Sequence, residues 1–487
     1  MLFNSYIFIF VFLPLVLIGW FGLNKLNLKK TSEVFLIAMS LWFYAYFNYS
    51  YFFIIVGSCL LNYIYSFIME KIPDYHRLKK LLGIAAVISN LAVLFYYKYY
   101  DFFIENINSI FKTNYNFLHI LLPLGISFFT FQQLSFVVDR FKGEAPHYNI
   151  LEYLSFVTFF PQLIAGPIVL HSEFIPQYRD KEKRKFNLNN FTDGSVQAIL
   201  GLGKKVLLAD TLALIVNEAY FNRYYFTTWS AIFFIVTYAF ELYFDFSGYC
   251  DIAMGIGKMF NYEIPRNFNY PYLSTSMKDF WNNWHITLSR FFVTYVYIPL
   301  GGGKKGKLRK HLNTMIVFLL SGLWHGANWT YIWWGFLNGL GVIYNNMKNK
   351  PLKNKFLAWL STFSYFLFTL IFFRSESLAD VWIILKGLCN PVGLKFIYDM
   401  ANYMDIPELY IFKQAADLIN PDITGFIYLA VYLILIAVSS CLIKGKNAET
   451  IVKEGKYTKK TAVLLSVIFV WSVISLSGVS TFLYFNF

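Results

Sequence analysis

The stretch NTMIVFLLSGLWHGANWTYIWWGFLNGLGVIYNN, residues 313–346, is the clearest indication of the fold class of this chain. It is apolar over more than the roughly 20 residues that cross a bilayer as a helix. Gly322, His325, Gly326 and Asn328 interrupt it near its middle. Irregular backbone at membrane depth is tolerated where it is buried in protein or lines a cavity. The stretch is therefore interpreted as a kinked or re-entrant membrane element beside a pocket.

The composition of the whole chain agrees with this interpretation. Hydrophobic residues make up 57% of the 487 residues and charged residues only 14%, whereas soluble domains are about half apolar and about a quarter charged. We predict an all-α polytopic membrane protein, with about 11–13 transmembrane or re-entrant helices around a central funnel or tunnel.

Apolar runs of suitable length recur along the chain and define the candidate spans. They lie at about 6–23, 33–47, 50–68, 81–97, 118–138, 195–216, 229–247, 313–346, 356–373, 424–443 and 461–480. Residues 151–170 contain Pro161, Gly166 and Pro167 and are predicted to form a second broken element. We divide the chain into N-terminal membrane helices (1–150), a core with re-entrant segments and an amphipathic helix (151–346), and C-terminal membrane helices (347–487).

Basic residues between the spans predict the orientation of the chain. They cluster at residues 25–30, 71–80, 179–185, 304–310, 348–355 and 444–460. Lys and Arg mark the cytoplasmic side of membrane proteins, and these clusters share one side if the N-terminus is extracytoplasmic. The loop 374–423 has four basic and seven acidic residues and is assigned to the other side. The net charge of +14 is thus mainly a topology signal, and the scattered basic residues do not favour nucleic-acid binding.

The sequence motifs do not support metal binding or ATP-driven activity. The four cysteines lie far apart without metal-ligand spacing, so no metal site is predicted. The glycine-rich pieces GLGKK (201–205) and GIGKM (255–259) lack the full phosphate-binding pattern of ATP-driven proteins.

His325 is the leading candidate for a functional residue. An ionisable side chain in membrane sequence is costly to bury, which makes it a functional-site hypothesis by default. The alternative is a buried histidine hydrogen-bonded across helices. The helix break favours a catalytic role for His325, because a broken helix leaves backbone groups free to point into a cavity. An imidazole is also a suitable general base for a hydroxyl nucleophile. Trp324 and Asn328 carry hydrogen-bond donors and are candidates to line the pocket beside His325.

Three carboxylates precede this segment. Glu241 and Asp245 are four residues apart and share a helix face. Asp251 follows Ser247 and Gly248, where we expect the helix to break. Two interpretations stay open: the carboxylates pair with basic residues or cap helix ends, or they shape a polar tunnel to the site.

A second histidine, His285, lies in a segment with helical periodicity. The apolar positions are Trp281, Trp284, Leu288, Phe291, Phe292 and Tyr295. This pattern predicts an amphipathic helix in the membrane boundary, ending at Pro299 before the basic run 304–310. That run is either a topology anchor or a mouth that attracts an anionic donor. Trp284, Arg290, Lys304 and Lys305 are the candidates for the donor entrance.

Six motifs, taken in order, resemble the membrane-bound O-acyltransferases, and in particular their bacterial alginate O-acetyltransferase-like branch. They are FFPQLIAGPI (159–168), YFDFSGYCDIAMGIGKMF (243–260), NFNYPYLS (267–274), FWNNWHITLSRFF (280–292), YIPLGGGKKGK (297–307) and LWHGANWTYIWWG (323–335). The ending TFLYFNF (481–487) also resembles that branch.

The resemblance implies a function. His325 corresponds to the family's catalytic histidine and His285 to its second histidine. His325 would either activate an acceptor hydroxyl or transiently carry the acyl group, and the sequence does not distinguish these roles. Hydrogen-bond donors near Trp324 or Asn328 would stabilise the oxyanion of acyl transfer. Similar proteins take an acyl group from a cytoplasmic thioester, acetyl-CoA or an acylated carrier, and pass it through the bacterial cytoplasmic membrane. The acceptor is an extracytoplasmic polysaccharide or wall polymer, often reached through a partner acetyltransferase of the SGNH type. No permanently bound cofactor is implied.

The resemblance has two departures, and two other functions stay open. Asn282 and Asn283 stand where the group often has arginines, and Val293 and Thr294 where it often has Arg-Asp. The donor details therefore stay open. The alternatives are a D-alanyl transferase for teichoic acids, from a related branch, and a flippase for a glycan or lipid-linked precursor. The sequence does not identify the acceptor polymer.

Overall fold

The computed structural model describes residues 1–74, 76–348, 352–391, 410–419 and 421–477. Within these ranges the regular structure is helical, apart from an isolated β-bridge between Phe268 and Trp284. The ending 481–487 lies outside the described residues, as does much of the predicted loop 374–423.

The α-helices are numbered in chain order. They are α1 (Leu13–Lys25), α2 (Lys29–Ala45), α3 (Ser50–Glu70), α4 (Arg77–Leu94), α5 (Tyr100–Phe111), α6 (Ile126–Phe141), α7 (Ile150–Thr158), α8 (Phe160–Leu163), α9 (His171–Arg179), α10 (Leu188–Gly203), α11 (Asp210–Phe221), α12 (Thr228–Met259), α13 (Met277–Asn283), α14 (Ile286–Phe292), α15 (Lys307–His325), α16 (Trp329–Met347), α17 (Lys355–Arg374), α18 (Leu378–Leu388), α19 (Tyr410–Ile419), α20 (Pro421–Lys444), α21 (Ala448–Glu454) and α22 (Lys459–Ile474). Short π-helical segments also occur, at Phe8–Phe12, Phe95–Tyr99, Lys204–Ala209 and Val293–Tyr297.

Six helical segments of the described chain are long and apolar enough to cross a membrane. They are Phe8–Lys25, Ser50–Glu70, Arg77–Phe111, Thr228–Met259, Lys355–Arg374 and Gly425–Lys444. Each overlaps a span predicted from the sequence. The predicted spans at 33–47, 195–216 and 461–480 are also helical, although α22 ends at Ile474.

The predicted span 118–138 begins too early. Residues 112–123 have no regular secondary structure, and α6 begins only at Ile126. Pro123 cannot donate a backbone hydrogen bond, and Gly125 has a φ of 73°. A β-carbon on Gly125 would lie 2.9 Å from the carbonyl oxygen of Leu163. The backbone at this turn therefore packs directly against the end of α8.

The helix break expected at Ser247 and Gly248 is absent. Helix α12 continues to Met259, and nine-tenths of its most apolar window is buried. Gly248 faces Gly201 of α10, and a β-carbon on Gly248 would lie 2.8 Å from the carbonyl oxygen of Gly201. The glycine thus permits close approach of two helices, which is a common use of small residues in membrane proteins.

The break in residues 313–346 is confirmed, but it is narrower than predicted. Helix α15 ends at His325, and α16 begins at Trp329 after a turn at Gly326–Asn328. Gly322 lies inside α15, where a β-carbon would lie 2.3 Å from the carbonyl oxygen of Tyr331. The two helices pack as a close antiparallel hairpin. Residues 151–170 are also broken as predicted, into α7, α8 and an extended end.

The predicted interfacial amphipathic helix is wrong. The segment forms two short helices, α13 and α14, which are separated at Trp284 and His285. Trp281, Trp284 and Phe291 are all less than 10% exposed. The apolar face packs against other helices, including Phe366 of α17 at 4.3 Å from the Phe280 ring. Tertiary contacts bury a face that periodicity alone assigned to the lipid boundary.

Helix connectivity distinguishes two ends of the bundle. One end, here called the basic end, carries the turns at 26–28 and 71–76 and the start of α15 at Lys307. The opposite end carries the coil 112–125 and the turn 326–328. Lys98, well along the helix that begins at Arg77, contacts the last residue of α15. This contact fixes the direction of α15 relative to α4.

Candidate active site

His325 occupies the last position of α15 and is 3% exposed. Aromatic rings enclose its imidazole: ring centroids lie at 4.8 Å for Trp324, 4.9 Å for Trp334 and 5.1 Å for Phe373. The helix stops here because the backbone of Gly326 is extended and Asn328 caps α16. The imidazole is thus held at a helix end inside the protein.

His285 lies between α13 and α14 and is 1% exposed. Its backbone is left-handed, with φ 45° and ψ 54°, a conformation that is uncommon outside glycine. Its Nδ1 lies 3.3 Å from Oδ1 of Asn267, and the same oxygen accepts the hydroxyl of Thr287 at 2.6 Å. Strained backbone of this kind clusters at functional sites.

The indole ring of Trp324 lies close to the imidazole rings of both histidines. Its ring centroid lies 5.9 Å from the His285 ring and 4.8 Å from the His325 ring. Phe131 of α6 stacks on it at 5.6 Å. Histidines from separate helical segments therefore meet at one buried aromatic ring, which supports treating both as parts of one site.

Two cavities lie near His325 on the side of the opposite end, and His325 lines the smaller of them. The first, of about 40 Å³, is lined by His325, Trp324, Lys98 and residues 122–128. The second, of about 210 Å³, is lined by Lys98, Asp101, Leu122, Ala327 and neighbouring aromatic residues. Lys98 and Leu122 line both. His325 is therefore separated from the larger cavity by a narrow wall.

A third cavity, of about 20 Å³, lies toward the basic end. Its lining includes Lys204, Asp251, Arg266, Asn267 and Glu449. Asn267 also contacts His285, so this cavity approaches the site from the other side. It shares no lining residue with the two cavities near His325. The side chains of Asn267, His285 and Trp324 lie between this cavity and the two cavities near His325.

The candidates for the donor entrance lie in different environments. Trp284 is buried and stacks on Tyr272 at 5.9 Å. Arg290 forms an ion pair with Glu173 at 2.5 Å and donates to the carbonyl oxygen of Ile168 at 3.1 Å. Lys304 and Lys305 are exposed in the turn before α15. The two lysines are therefore the candidates that present their charge at the basic end.

The carboxylates Asp245 and Asp251 both have basic partners. Lys205 lies 2.5 Å from Asp245 and 2.7 Å from Asp210, and Lys204 lies 2.6 Å from Asp251. For Asp245 and Asp251 the structure shows pairing with basic residues, which is one of the two interpretations left open by the sequence. Asp251 also lines the cavity toward the basic end, whereas Asp245 is 2% exposed within the bundle.

The two predicted hydrogen-bond donors differ in their availability. Asn328 caps α16, accepting from the backbone N–H of Thr330 at 3.0 Å, and its amide donates to the carbonyl oxygen of Glu376 at 2.7 Å. The buried indole N–H groups of Trp324 and Trp334 have no hydrogen-bond partner among the described residues. Buried donors normally find partners, and of these two residues Trp324 also lines the cavity beside His325.

Sequence reasoning missed two residues of the site. Lys98 donates from Nζ to the carbonyl oxygens of Trp324 at 2.5 Å and His325 at 3.2 Å. It directly follows the predicted span 81–97, and an ionisable residue at that depth was a usable signal. Asn267 lies in the motif 267–274, but no sequence rule indicated its contact with His285.

Comparison with known proteins identifies the family of this chain. Residues 141–350 match the membrane-bound O-acyltransferase (MBOAT) family. The chain is 37% identical to the peptidoglycan O-acetyltransferase of Helicobacter pylori, over 100% of this chain and 98% of the relative. It is 34% identical to the "Probable alginate O-acetylase AlgI" of Pseudomonas aeruginosa, over 78% and 74%. It is 30% identical to the teichoic acid D-alanyltransferase of Streptococcus thermophilus, over 48% and 59%.

The family match and the relatives, together with the membrane-spanning helices, define a multi-pass membrane enzyme that transfers acyl groups. The chain belongs to the membrane-bound O-acyltransferase family. The matched region contains His285 and His325. The resemblance stated from the six motifs is confirmed, and family membership argues against the flippase, which is not an enzyme.

Proposed function

We propose that this protein is an O-acetyltransferase that passes an acetyl group from a thioester at the basic end to a hydroxyl of an extracytoplasmic polymer at the opposite end. One observation carries the proposal. His325 lies beside a cavity toward the opposite end and, through Trp324, beside His285 and the cavity toward the basic end. The basic end is cytoplasmic in this proposal, because Lys and Arg mark that side.

The chemistry follows from the groups at His325. The imidazole accepts the proton of the acceptor hydroxyl, and the hydroxyl oxygen attacks the thioester carbonyl carbon. The indole N–H groups of Trp324 and Trp334 stabilise the oxyanion of the tetrahedral intermediate. The carbon–sulfur bond then breaks, and the thiolate leaves with the proton that His325 holds. An acetate ester and a free thiol are the products.

The size of the cavity favours a short acyl group. A water molecule needs about 10–15 Å³ of such a cavity, so about 40 Å³ beside His325 corresponds to a few atoms. An acetyl group is of this size, and a long acyl chain is not. The thioester donor is acetyl-CoA or an acylated carrier, and exposed Lys304 and Lys305 attract its phosphates.

Peptidoglycan is the acceptor that we propose first. The similarity to the H. pylori peptidoglycan O-acetyltransferase covers the whole chain, whereas the similarity to the alginate protein covers 78% of it. Alginate-like polysaccharide is the second candidate. An extracytoplasmic acetyltransferase of the SGNH type is the proposed partner at the opposite end.

The test is a His325→Ala substitution in the native host. We expect ester-linked acetate, released from purified peptidoglycan by mild alkali, to fall to the background of a deletion strain. His147→Ala is the matched control, because His147 is an exposed histidine paired with Glu70 at 2.8 Å, away from the site. Normal acetate release by a correctly inserted His325→Ala protein would overturn the proposal. Release of D-alanine instead of acetate would favour the teichoic acid branch.

A further inference from the structure

Lys98 has an unusual position for a lysine in a membrane helix. It lies in the π-helical segment Phe95–Tyr99, which links α4 to α5 within the candidate span Arg77–Phe111. No ion pair of Lys98 with a carboxylate occurs within the described ranges of the chain. A cation at membrane depth is costly, and where it occurs it marks function.

Lys98 and Tyr99 together satisfy the carbonyl groups at the end of α15. The last carbonyls of an α-helix have no partner within the helix. The Tyr99 hydroxyl donates to the carbonyl oxygen of Leu323 at 3.0 Å, and Lys98 Nζ donates to those of Trp324 and His325. Three successive carbonyls are therefore capped by side chains of a different helix. A cation at a helix C-terminus is also favoured by the helix dipole.

The π-helical segment explains how adjacent residues reach the same helix end. In a regular α-helix, neighbours in sequence do not face the same partner. A π-bulge changes the rotation of the residues around it, and such bulges are frequent at functional sites. The backbone of Tyr99 departs from ideal helix geometry, with φ −112° and ψ −10°.

We propose that Lys98 is a positioning residue for His325. It holds the last turn of α15, and with it the imidazole, beside the smaller of the two cavities toward the opposite end. The ammonium group of Lys98 also lies 5.9 Å from the Trp324 ring. Lys98 therefore restrains both His325 and Trp324. This inference rests on the proposed function of His325 as the general base.

The consequence is kinetic. An imidazole displaced by about 1 Å loses on the order of 100-fold in rate, whereas donor binding at the basic end is unaffected. Removing Lys98 is therefore expected to lower the maximal rate and leave the KM for the donor almost unchanged. A residue that only stabilised the fold would lower the amount of enzyme without this selective effect on turnover per molecule.

The experiment uses inside-out membrane vesicles from the host, with radiolabelled acetyl-CoA as the probe and incorporation into the endogenous polymer as the readout. For Lys98→Met we expect a loss of about 10- to 100-fold in rate per inserted protein, with the KM for acetyl-CoA within about twofold of the wild type. Lys98→Arg keeps a cationic donor and is expected to regain most of the rate. Tyr99→Phe removes one bond at the same helix end and is expected to lose less than about threefold.

The outcomes separate this inference from the proposed function. Lys98→Met with more than half of the wild-type rate, while His325→Ala is inactive, would overturn the role of Lys98 alone. A His325→Ala protein with normal activity would overturn the proposed function itself. If Lys98→Met is not inserted, Lys98→Ala removes the donor with a smaller side chain. More than half of the wild-type turnover by that protein would also overturn the inference.

Discussion

At the scale of single residues, the structure distinguishes the two roles that a buried polar group can have. Asp245 and Asp251 are paired with lysines, and removing either partner of such a pair would leave an uncompensated buried charge. The Trp324 and Trp334 indoles instead have buried N–H groups without partners among the described residues. In the proposed function, these two N–H groups donate hydrogen bonds to an oxygen of the substrate.

The indole donors can be tested one at a time. Trp324→Phe and Trp334→Phe keep an aromatic ring beside His325 and remove only the N–H. We expect each change to lower the rate of acetyl transfer by about 100- to 1,000-fold, the range for one oxyanion donor, in the vesicle assay. Trp333→Phe is the matched control, since Trp333 is 43% exposed on the outside of α16. Equal rates for all three variants would exclude the indoles from oxyanion stabilisation.

At the scale of helices, two elements depart from their sequence patterns for the same reason. Glycine at 248 suggested a break in α12, and glycine at 322 a break in α15, yet both lie inside helices. In each case a backbone carbonyl of a neighbouring helix lies where a side chain would be. Helix breaks and close helix packing use the same residue, and local sequence does not distinguish them.

The packing role of Gly248 predicts a stability effect. Gly248→Ala would place a methyl group 2.8 Å from the carbonyl oxygen of Gly201, so α10 and α12 must move apart. We expect a loss of about 1–3 kcal/mol in the free energy of unfolding, measured by thermal denaturation in detergent. Gly57→Ala in α3 is the control, because a β-carbon there meets no atom within 4 Å. A Gly248→Ala protein as stable as the control would contradict this account of the helix contact.

At the scale of the whole molecule, the basic turns collect at one end of the bundle and the cavities beside His325 lie toward the other. The two ends of the proposed reaction therefore correspond to the two sides of a membrane. Orientation is inferred here from the distribution of Lys and Arg, which makes it a separate prediction.

Cysteine labelling tests that orientation. Lys304 in the turn before α15 and Tyr115 in the coil 112–125 are both exposed. In a background with the four native cysteines replaced by serine, we expect Tyr115→Cys to react with a membrane-impermeant maleimide in intact spheroplasts. Lys304→Cys is expected to react only after the membrane is permeabilised. The reverse pattern would invert the topology and, with it, the direction of acetyl transfer.

Local signals in the amino-acid sequence were sufficient to predict the membrane class, the break at Gly326–Asn328 and the importance of the two histidines. Hydrophobic run length, helix-capping residues and rare ionisable groups can each be recognised within a short segment. The enzyme family could also be inferred from the sequence, because its six motifs lie in the expected order along the chain.

How these parts meet could not be predicted in this way and depends on the tertiary fold. The packing of the helices turns the segment around His285 inward, places Trp324 between the two histidines and brings Lys98 and Tyr99 to the end of α15. The physical reason is that each of these contacts joins residues from separate helices. Local sequence governs whether a helix forms, whereas the partners of its buried groups depend on how all the helices pack.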